Sequence, residues 1–347
     1  MKKLIVIGLM LLFISTGCTN KNNEDLIKDF TKSVKESKSY VLKGKMEISN
    51  GEEKFIYDLE SSHLDDDYYK VVLVNESNNH EQIILKNNEG VYVITPSLNK
   101  SFKFDSVWPH NSSQSYILET LVTDISNNDK DVKLEKKDNG YELRTVVNYP
   151  NNKNLEYQIL KFDKKMNIVS VDVYDNNDNI IIKVKFNDIN LKAKLKEEDF
   201  GLENYVKENA CEEDCDEATG ECENSCTLET SGLDSAIYPL YIPGETSLTS
   251  SETIKNETTD RIILTFGGAK NFVLIEEVST VFNEHEVIPI NGNPLIINDT
   301  VGALGTNSIH FTKNNIDYYL VSNDLTNEEM VSVASSVGNI RNVVSTK

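Results

Sequence analysis

The 347-residue sequence is short of positive charge, and this shortage limits what the chain can bind. It has 35 Lys and Arg residues against 56 Asp and Glu residues, which gives a formal net charge of −21 at pH 7. Such an acidic balance argues against binding to nucleic acid and against close electrostatic contact with anionic lipid headgroups. The length is sufficient for two domains of ordinary size.

The sequence also lacks the short motifs that carry common enzyme chemistry. It has no Gly-x-Ser-x-Gly nucleophile motif, no His-x-x-x-His pair and no complete glycine-rich phosphate loop. We expect the five histidines to lie on the surface or in polar loops: His63, His80, His110, His285 and His310. The sequence therefore indicates a non-catalytic protein without a cofactor or a metal centre of the histidine type.

Long hydrophobic runs are absent except at the N-terminus. Lys2-Lys3 precede an apolar run from Leu4 to Ile14, and Ser15-Thr16-Gly17-Cys18 follows it. This layout is typical of a secretory signal peptide, here 1–17, with a cut before a cysteine that lipoprotein processing would acylate. Ser15 stands where such signals usually have Leu. The alternative is an uncleaved membrane anchor, but about eleven apolar residues are fewer than the ~20 that span a bilayer.

The mature chain would therefore begin at Cys18, with 18–23 as a lipidated polar tether. Loss of Lys2 and Lys3 would make its net charge −23. We expect a lipoprotein anchored at the extracytoplasmic face of the cell membrane.

Residues 24–201 mostly show the period of two that is typical of β-strands. A one-faced helix is predicted over 24–34, and turn signals such as Asn50-Gly51 separate many short strands after it. The sequence thus predicts a mainly β domain with a curved antiparallel sheet. Residues 108–125 interrupt the strands with a helical pattern that Ser112 or Ser113 would cap. Its large side chains would either anchor the segment in the core or form a hydrophobic surface for a partner: Trp108, Tyr116, Leu118 and Leu121.

Four of the five cysteines lie together in an acidic linker, 202–232. Their spacing is Cys211-x3-Cys215-x6-Cys222-x3-Cys226, and 211–226 hold seven acidic residues and no basic ones. If each Cys-x3-Cys pair lies on a helical turn, Cys211 would pair with Cys226 and Cys215 with Cys222 in a stapled hairpin. Disulfides are favoured outside the cytoplasm, while a metal site and free thiols are the alternatives.

Residues 233–347 are predicted to form a second, small α+β domain. Five strands are indicated, at 261–266, 272–278, 286–290, 308–312 and 318–322. A closing helix is predicted to start at Thr326, because Thr326 and Glu329 form a capping box ahead of an apolar face.

The order of elements over 24–200 resembles the LolA-like fold of periplasmic lipoprotein carriers. The stretch from Val91 to Phe104, with Trp108-Pro109 after it, is similar to lipoproteins of spore-forming bacteria of the YdcC and GerS type. The unit from Pro239 to Val337 resembles the small DUF4367-like domain of such proteins and of RseB-type sigma-factor regulators. This resemblance implies a LolA-like antiparallel half-barrel with plugging helices, followed by a small α+β domain.

The same resemblance implies a non-catalytic binding or adaptor protein in sporulation or spore germination, with a role in cortex modification. The partner would be an extracytoplasmic protein, such as a cortex amidase, or else an acyl chain or lipoprotein. The membrane would be the cell membrane or a forespore membrane. A lipid at Cys18 departs from the carriers, which are soluble. The alternatives are a tethered carrier of lipid or lipoprotein and an RseB-like regulator of envelope stress.

Overall fold

The computed structural model describes residues 22–51, 53–65, 67–128, 132–207, 233, 235–255 and 260–338, and the backbone alone of 212–215 and 222–225. Within these ranges the chain forms two large sheets, a short hairpin and three α-helices. The predicted mainly β fold class is therefore confirmed. None of the three helices is long and apolar enough to cross a bilayer.

The first half of the chain supplies eleven strands in the described ranges. They are β1 (Ser39–Asn50), β2 (Glu53–Leu64), β3 (Tyr68–Asn75), β4 (Glu81–Asn87), β5 (Gly90–Thr95), β6 (Lys100–Phe104), β7 (Lys133–Lys137), β8 (Gly140–Val146), β9 (Leu155–Phe162), β10 (Ile168–Asp175) and β11 (Ile180–Asn190). They pair antiparallel in the order β6-β5-β4-β3-β2-β1-β11-β10-β9-β8-β7. The first and last strands of this domain thus meet in the middle of the sheet.

Two helices pack on one face of this sheet. Helix α1 (Asn23–Glu36) begins at Asn22, whose side chain accepts a hydrogen bond from the backbone N–H of Asp25, and α2 is Leu118–Asn127. Phe30 and Val34 of α1 share the core of the sheet with Leu121 of α2. The opposite face is covered by two 3-10 turns at 197–205, through the buried Phe200. The sheet and its helices form the predicted half-barrel with plugging helices.

The helical insert begins later than the sequence predicts. Neither Ser112 nor Ser113 caps α2, whose N-cap is Ile117 and makes no side-chain capping bond. The Ser113 hydroxyl is used elsewhere, because it donates to Asp124 Oδ1 at 2.9 Å and accepts the backbone N–H of Asn148 at 2.8 Å. Residues 108–117 therefore form an irregular segment that is tied to the sheet.

The linker contains a two-stranded hairpin in its described parts, β12 (Glu212–Cys215) and β13 (Cys222–Ser225). The backbone of 212–215 and 222–225 is thus extended, and the helical turns considered for the Cys-x3-Cys pairs are not found there. The antiparallel register places Cys215 opposite Cys222 along the backbone. Cys211 and Cys226 lie outside the described residues, and the disulfides stay a prediction.

The C-terminal part of the chain adds eight strands in the described ranges. They are β14 (Thr246–Lys255), β15 (Asp260–Gly268), β16 (Phe272–Val278), β17 (Glu286–Ile290), β18 (Gly292–Ile297), β19 (Thr300–Gly305), β20 (Ser308–Lys313) and β21 (Ile316–Val321). Seven of them form an antiparallel sheet in the order β14-β15-β16-β21-β20-β19-β18. Helix α3 (Asn327–Ser336) buries Met330 and Val333 in the core of this sheet, and its predicted capping box is confirmed.

Strand β17 differs from our expectation, because it does not join the second sheet. It pairs in parallel with β6 at the edge of the half-barrel, with Ile288 opposite Phe102. Strand β17 thereby supplies hydrogen-bond partners for the backbone groups at the outer edge of β6. An uncovered edge would expose those groups to pairing with other chains. The chain crosses to the first sheet at β17 and returns at β18, so the two domains are joined by more than the linker.

Candidate binding cleft between the domains

The β18–β19 hairpin of the second domain packs into the core of the half-barrel. Val301 and Ala303 belong to that core, whereas Ile297 and Leu304 belong to the core of the second domain. Side chains alternate between the two faces of a strand, which lets one hairpin serve both cores. The hairpin therefore fixes the second domain against the first.

Buried polar side chains of the half-barrel bind the backbone of this hairpin. The Tyr57 hydroxyl donates to the carbonyl oxygen of Asn298 at 2.6 Å. Gln82 donates through Nε2 to the carbonyl oxygen of Val301 at 2.8 Å and accepts the N–H of Val301 on Oε1 at 2.6 Å. These bonds satisfy backbone groups that would be costly to bury without partners.

Lys100 on β6 and Asp317 on β21 form an ion pair inside the domain interface. Lys100 Nζ lies 2.8 and 3.0 Å from the two carboxylate oxygens of Asp317. The side chains of Lys100 and Asp317 are 2% and 9% exposed. Removal of either partner would leave an uncompensated charge in the interior.

Two histidines lie in the interior, so our expectation of surface histidines is wrong for them. His310 packs between the rings of Phe102 and Tyr319, and His63 packs against Tyr40. Burial, with a smaller effect of the Lys100 cation, lowers the pKa of His310 to about 3. Both histidines lie on strands and face inward, where neighbouring aromatic rings surround them.

A cleft of about 1260 Å³ lies between the half-barrel and the second domain. The half-barrel wall includes Ile48 of β1 together with Trp108 and Tyr116 of the irregular segment. The opposite wall includes Leu295 of β18 and Val331 of α3. Both walls thus present large apolar side chains to the space between the domains.

An exposed apolar strip extends the second-domain wall. We use this name for Tyr238, Leu240, Tyr241 and Ile242, whose exposed fractions are 47%, 46%, 43% and 36%. Leu240 and Tyr241 also line the cleft. Isolated apolar residues at a surface are ordinary, whereas a contiguous patch marks an interaction site.

Buried hydrogen bonds hold the apolar strip in place. Both carboxylate oxygens of the fully buried Glu276 accept the backbone N–H of Ile237, at 3.1 and 3.0 Å. Burial raises the pKa of Glu276 to about 7, although the Ile237 N–H acts in the opposite direction. The Ser336 hydroxyl of α3 accepts the N–H of Tyr241 at 3.0 Å. The strip is therefore a fixed part of the wall.

Some polar side chains in the cleft bind one another. The Tyr116 hydroxyl donates to Gln114 Oε1 at 2.6 Å, and Gln114 Nε2 donates to the Ser112 hydroxyl at 2.8 Å. At the mouth, Lys153 Nζ lies 3.3 Å from Glu328 Oε1 and so connects the half-barrel to α3. No group of three His, Cys, Asp or Glu side chains suited to a metal ion occurs in the part of the chain that the structure describes.

The four side chains predicted to form a hydrophobic surface separate into two pairs. Trp108 and Tyr116 line the cleft, although they are only 2% and 4% exposed. Leu118 and Leu121 lie in the core of the half-barrel and do not line the cleft. Cys18, the predicted lipidation site, lies outside the described residues.

The β18–β19 hairpin and the apolar strip belong to the site, although neither was predicted from the sequence to do so. The hairpin has a signal in the sequence, because an apolar run ending at Ile297 is followed by the turn residues Asn298-Asp299 and then by Val301. The apolar strip also has a signal in the sequence, because three large apolar residues stand between Pro239 and Pro243. Neither signal shows that the segments meet.

Two comparisons by sequence give the same family. The model of the family described as sporulation protein YdcC-like matches residues 1–200. The sporulation protein YdcC of Bacillus subtilis (strain 168) is 36% identical over 335 residues, which cover 96% of each chain. The MucA/MucB complex of Pseudomonas aeruginosa is similar over 90% of this chain and 97% of that chain, at 11% identity and a TM-score of 0.29. The structure of the CwlD amidase of Clostridioides difficile in complex with the GerS lipoprotein is similar over 48% of this chain and 95% of that chain, at 18% identity and a TM-score of 0.21.

Proposed function

The chain belongs to the YdcC-like family of sporulation proteins, and from this we propose that it is a lipid-anchored, non-catalytic protein that binds a protein partner during sporulation or spore germination. The observation that carries the proposal is the cleft of about 1260 Å³ between the domains, with the exposed apolar strip on its rim. Large, partly exposed side chains such as Tyr241 are the type that anchors protein interfaces.

The internal arrangement of the half-barrel supports binding at the cleft rather than inside the barrel. Helices α1 and α2 fill one part of the barrel core, and the β18–β19 hairpin adds Val301 and Ala303 to the same core. A ligand inside the barrel would have to displace these packed side chains. The cleft is open to a partner without such displacement.

The anchor would hold the half-barrel close to a membrane. Cys18 precedes the first residue of α1, Asn23, by five residues. Five extended residues reach about 17 Å, which is short compared with a domain. We place the protein at the extracytoplasmic face of the cell membrane or of a forespore membrane. A cell-wall amidase that acts on the spore cortex is the first partner to test.

Affinity capture from sporulating cells tests this proposal. The tagged, lipidated protein is compared with the variant Leu240→Ala in the apolar strip and with Leu248→Ala on β14, which is similarly exposed but does not line the cleft. We expect a cortex amidase in near-equal amounts with the wild type and Leu248→Ala, and much less with Leu240→Ala. Elution of lipid or of assorted lipoproteins without a stoichiometric protein would contradict the proposal and favour a tethered carrier.

A further inference from the structure

The volume of the cleft indicates what it accommodates. Pockets for small molecules occupy about 300–1,000 Å³, and this cleft has about 1260 Å³. The cleft is therefore larger than such pockets, and a helix, which is about 10–12 Å across with its side chains, is the occupant that its walls and its sheet edge favour. We infer that the cleft binds an amphipathic helix from a partner protein, with an apolar face and basic residues beside it. This inference rests on the proposed function, because it names the segment that the partner supplies.

The apolar walls fit the apolar face of such a helix. Leu240 and Tyr241 are about half exposed, and Val331 and Leu295 extend the same wall toward the interior. Ile48 faces them from the half-barrel. Helices that bind in grooves use anchors at i, i+3, i+4 and i+7, which lie on one face of the helix and so can contact these side chains together.

A β-strand is disfavoured as the occupant, because the sheet edge at the cleft is blocked. Strand β18 is the outer strand of the second sheet, and its residues Pro294, Leu295 and Ile296 line the cleft. Pro294 pairs with Ala303 on the inner side. Because proline has no N–H, β18 lacks a donor in the middle of the edge that an added strand would use. A helix needs no backbone partner, since its hydrogen bonds are internal.

The charge of the cleft selects basic residues in the occupant. Among the residues that the structure describes, the charged side chains lining the cleft are Glu53, Lys153, Asp175 and Glu328. Lys153 and Glu328 form an ion pair with each other, which leaves two carboxylates. The side-chain amide of Asn179 and nearby backbone N–H groups hold the pKa of Asp175 below its ordinary value, so this carboxylate stays charged at neutral pH. Lys or Arg beside the apolar face of the helix would meet this negative charge.

Designed peptides test the inference with the full mature chain in which Cys18 is replaced by serine. The probe is a labelled peptide of leucine and lysine with the leucines on one helical face. One control peptide has glutamate in place of lysine, and another has the same composition in an order without helical period. Binding is followed by fluorescence anisotropy at low and at high salt. We expect only the periodic Leu/Lys peptide to bind well, and salt to weaken its binding.

Matched variants locate the binding. The Leu240 side chain is about half exposed, and a bound helix would bury the exposed part. Loss of that apolar contact in Leu240→Ala should raise the Kd about fivefold. Leu248→Ala should leave it unchanged, and Glu53→Gln should reduce both the affinity and its salt dependence. Failure of the periodic Leu/Lys peptide to bind, equal binding of the non-periodic peptide, or an unchanged Kd for Leu240→Ala would each overturn the inference. Capture of a protein partner that still binds Leu240→Ala would overturn it too, while the proposed function would stand.

Discussion

Replacement of Lys100 by methionine would measure how strongly the two domains are held together. Lys100 is 2% exposed and makes two contacts of 2.8 and 3.0 Å with Asp317 across the interface. Methionine retains most of the side-chain volume but leaves the Asp317 carboxylate buried without its cation. Loss of one partner from a buried ion pair costs about 3–5 kcal/mol. We therefore expect the free energy of unfolding to fall by that amount.

The control is a second ion pair that also joins the two domains but lies at the surface. Lys153 and Glu328 are 3.3 Å apart, and the Lys153 side chain is 79% exposed. Exposed pairs contribute about 0–1 kcal/mol, so Lys153→Met should have little effect on stability. Both variants replace a lysine by methionine in an ion pair between the same two domains. The two pairs differ in their burial.

Urea unfolding followed by tryptophan fluorescence is a suitable assay, because Trp108 is the single tryptophan and is buried in the half-barrel. The double variant Lys100→Met with Asp317→Leu removes both charges and should recover most of the lost stability. A loss below about 1 kcal/mol for Lys100→Met, or an equal loss for Lys153→Met, would refute the reasoning.

Three further predictions concern other parts of the chain. Burial raises the pKa of Asp124 from 3.8 to about 7, so the folded state holds this proton more tightly than the unfolded state. Relative to Asp124→Asn, the wild type should lose up to about 4 kcal/mol as the pH rises from about 4 to about 7, and parallel stability curves would contradict this. Gln82→Ala leaves both backbone groups of Val301 without their partner, so urea unfolding should show a loss of about 1–3 kcal/mol, and an unchanged midpoint would argue against it. Alkylation of the unreduced protein, read by mass spectrometry, should leave Cys215 and Cys222 unmodified, and their alkylation would exclude the predicted disulfide.

Local structure was largely predictable from the sequence, because its causes are local. The helix predicted over 24–34 is found at Asn23–Glu36, where acidic residues at the start and a one-faced apolar pattern determine it. The capping box of α3 also forms as expected, with the Thr326 hydroxyl accepting the N–H of Glu329. In contrast, Ser113 did not cap α2, because a buried carboxylate eleven residues later competes for its hydroxyl.

The cleft was not predictable, because it depends on contacts between residues that are far apart in the sequence. Trp108 and Tyr116 were singled out as a hydrophobic surface or a core anchor, and the structure places them both in the interior and on the cleft wall. Their neighbours across the cleft, such as Leu295 and Val331, come from a hairpin and a helix about 180 to 220 residues later. The hairpin, which Gln82 and Tyr57 bind through its backbone, and the Lys100–Asp317 ion pair bring these walls together.

Site-specific photo-crosslinking in sporulating cells would test the central claim most directly. A photoreactive phenylalanine analogue replaces Tyr241 on the rim of the cleft or, as a control, Leu248 on β14. We expect position 241 to crosslink to one extracytoplasmic protein, in a segment with helical apolar periodicity and basic residues, and we expect no such crosslink from position 248. Crosslinks from position 241 to lipid alone, or the same protein crosslinked equally from both positions, would contradict the claim that this cleft binds a protein partner.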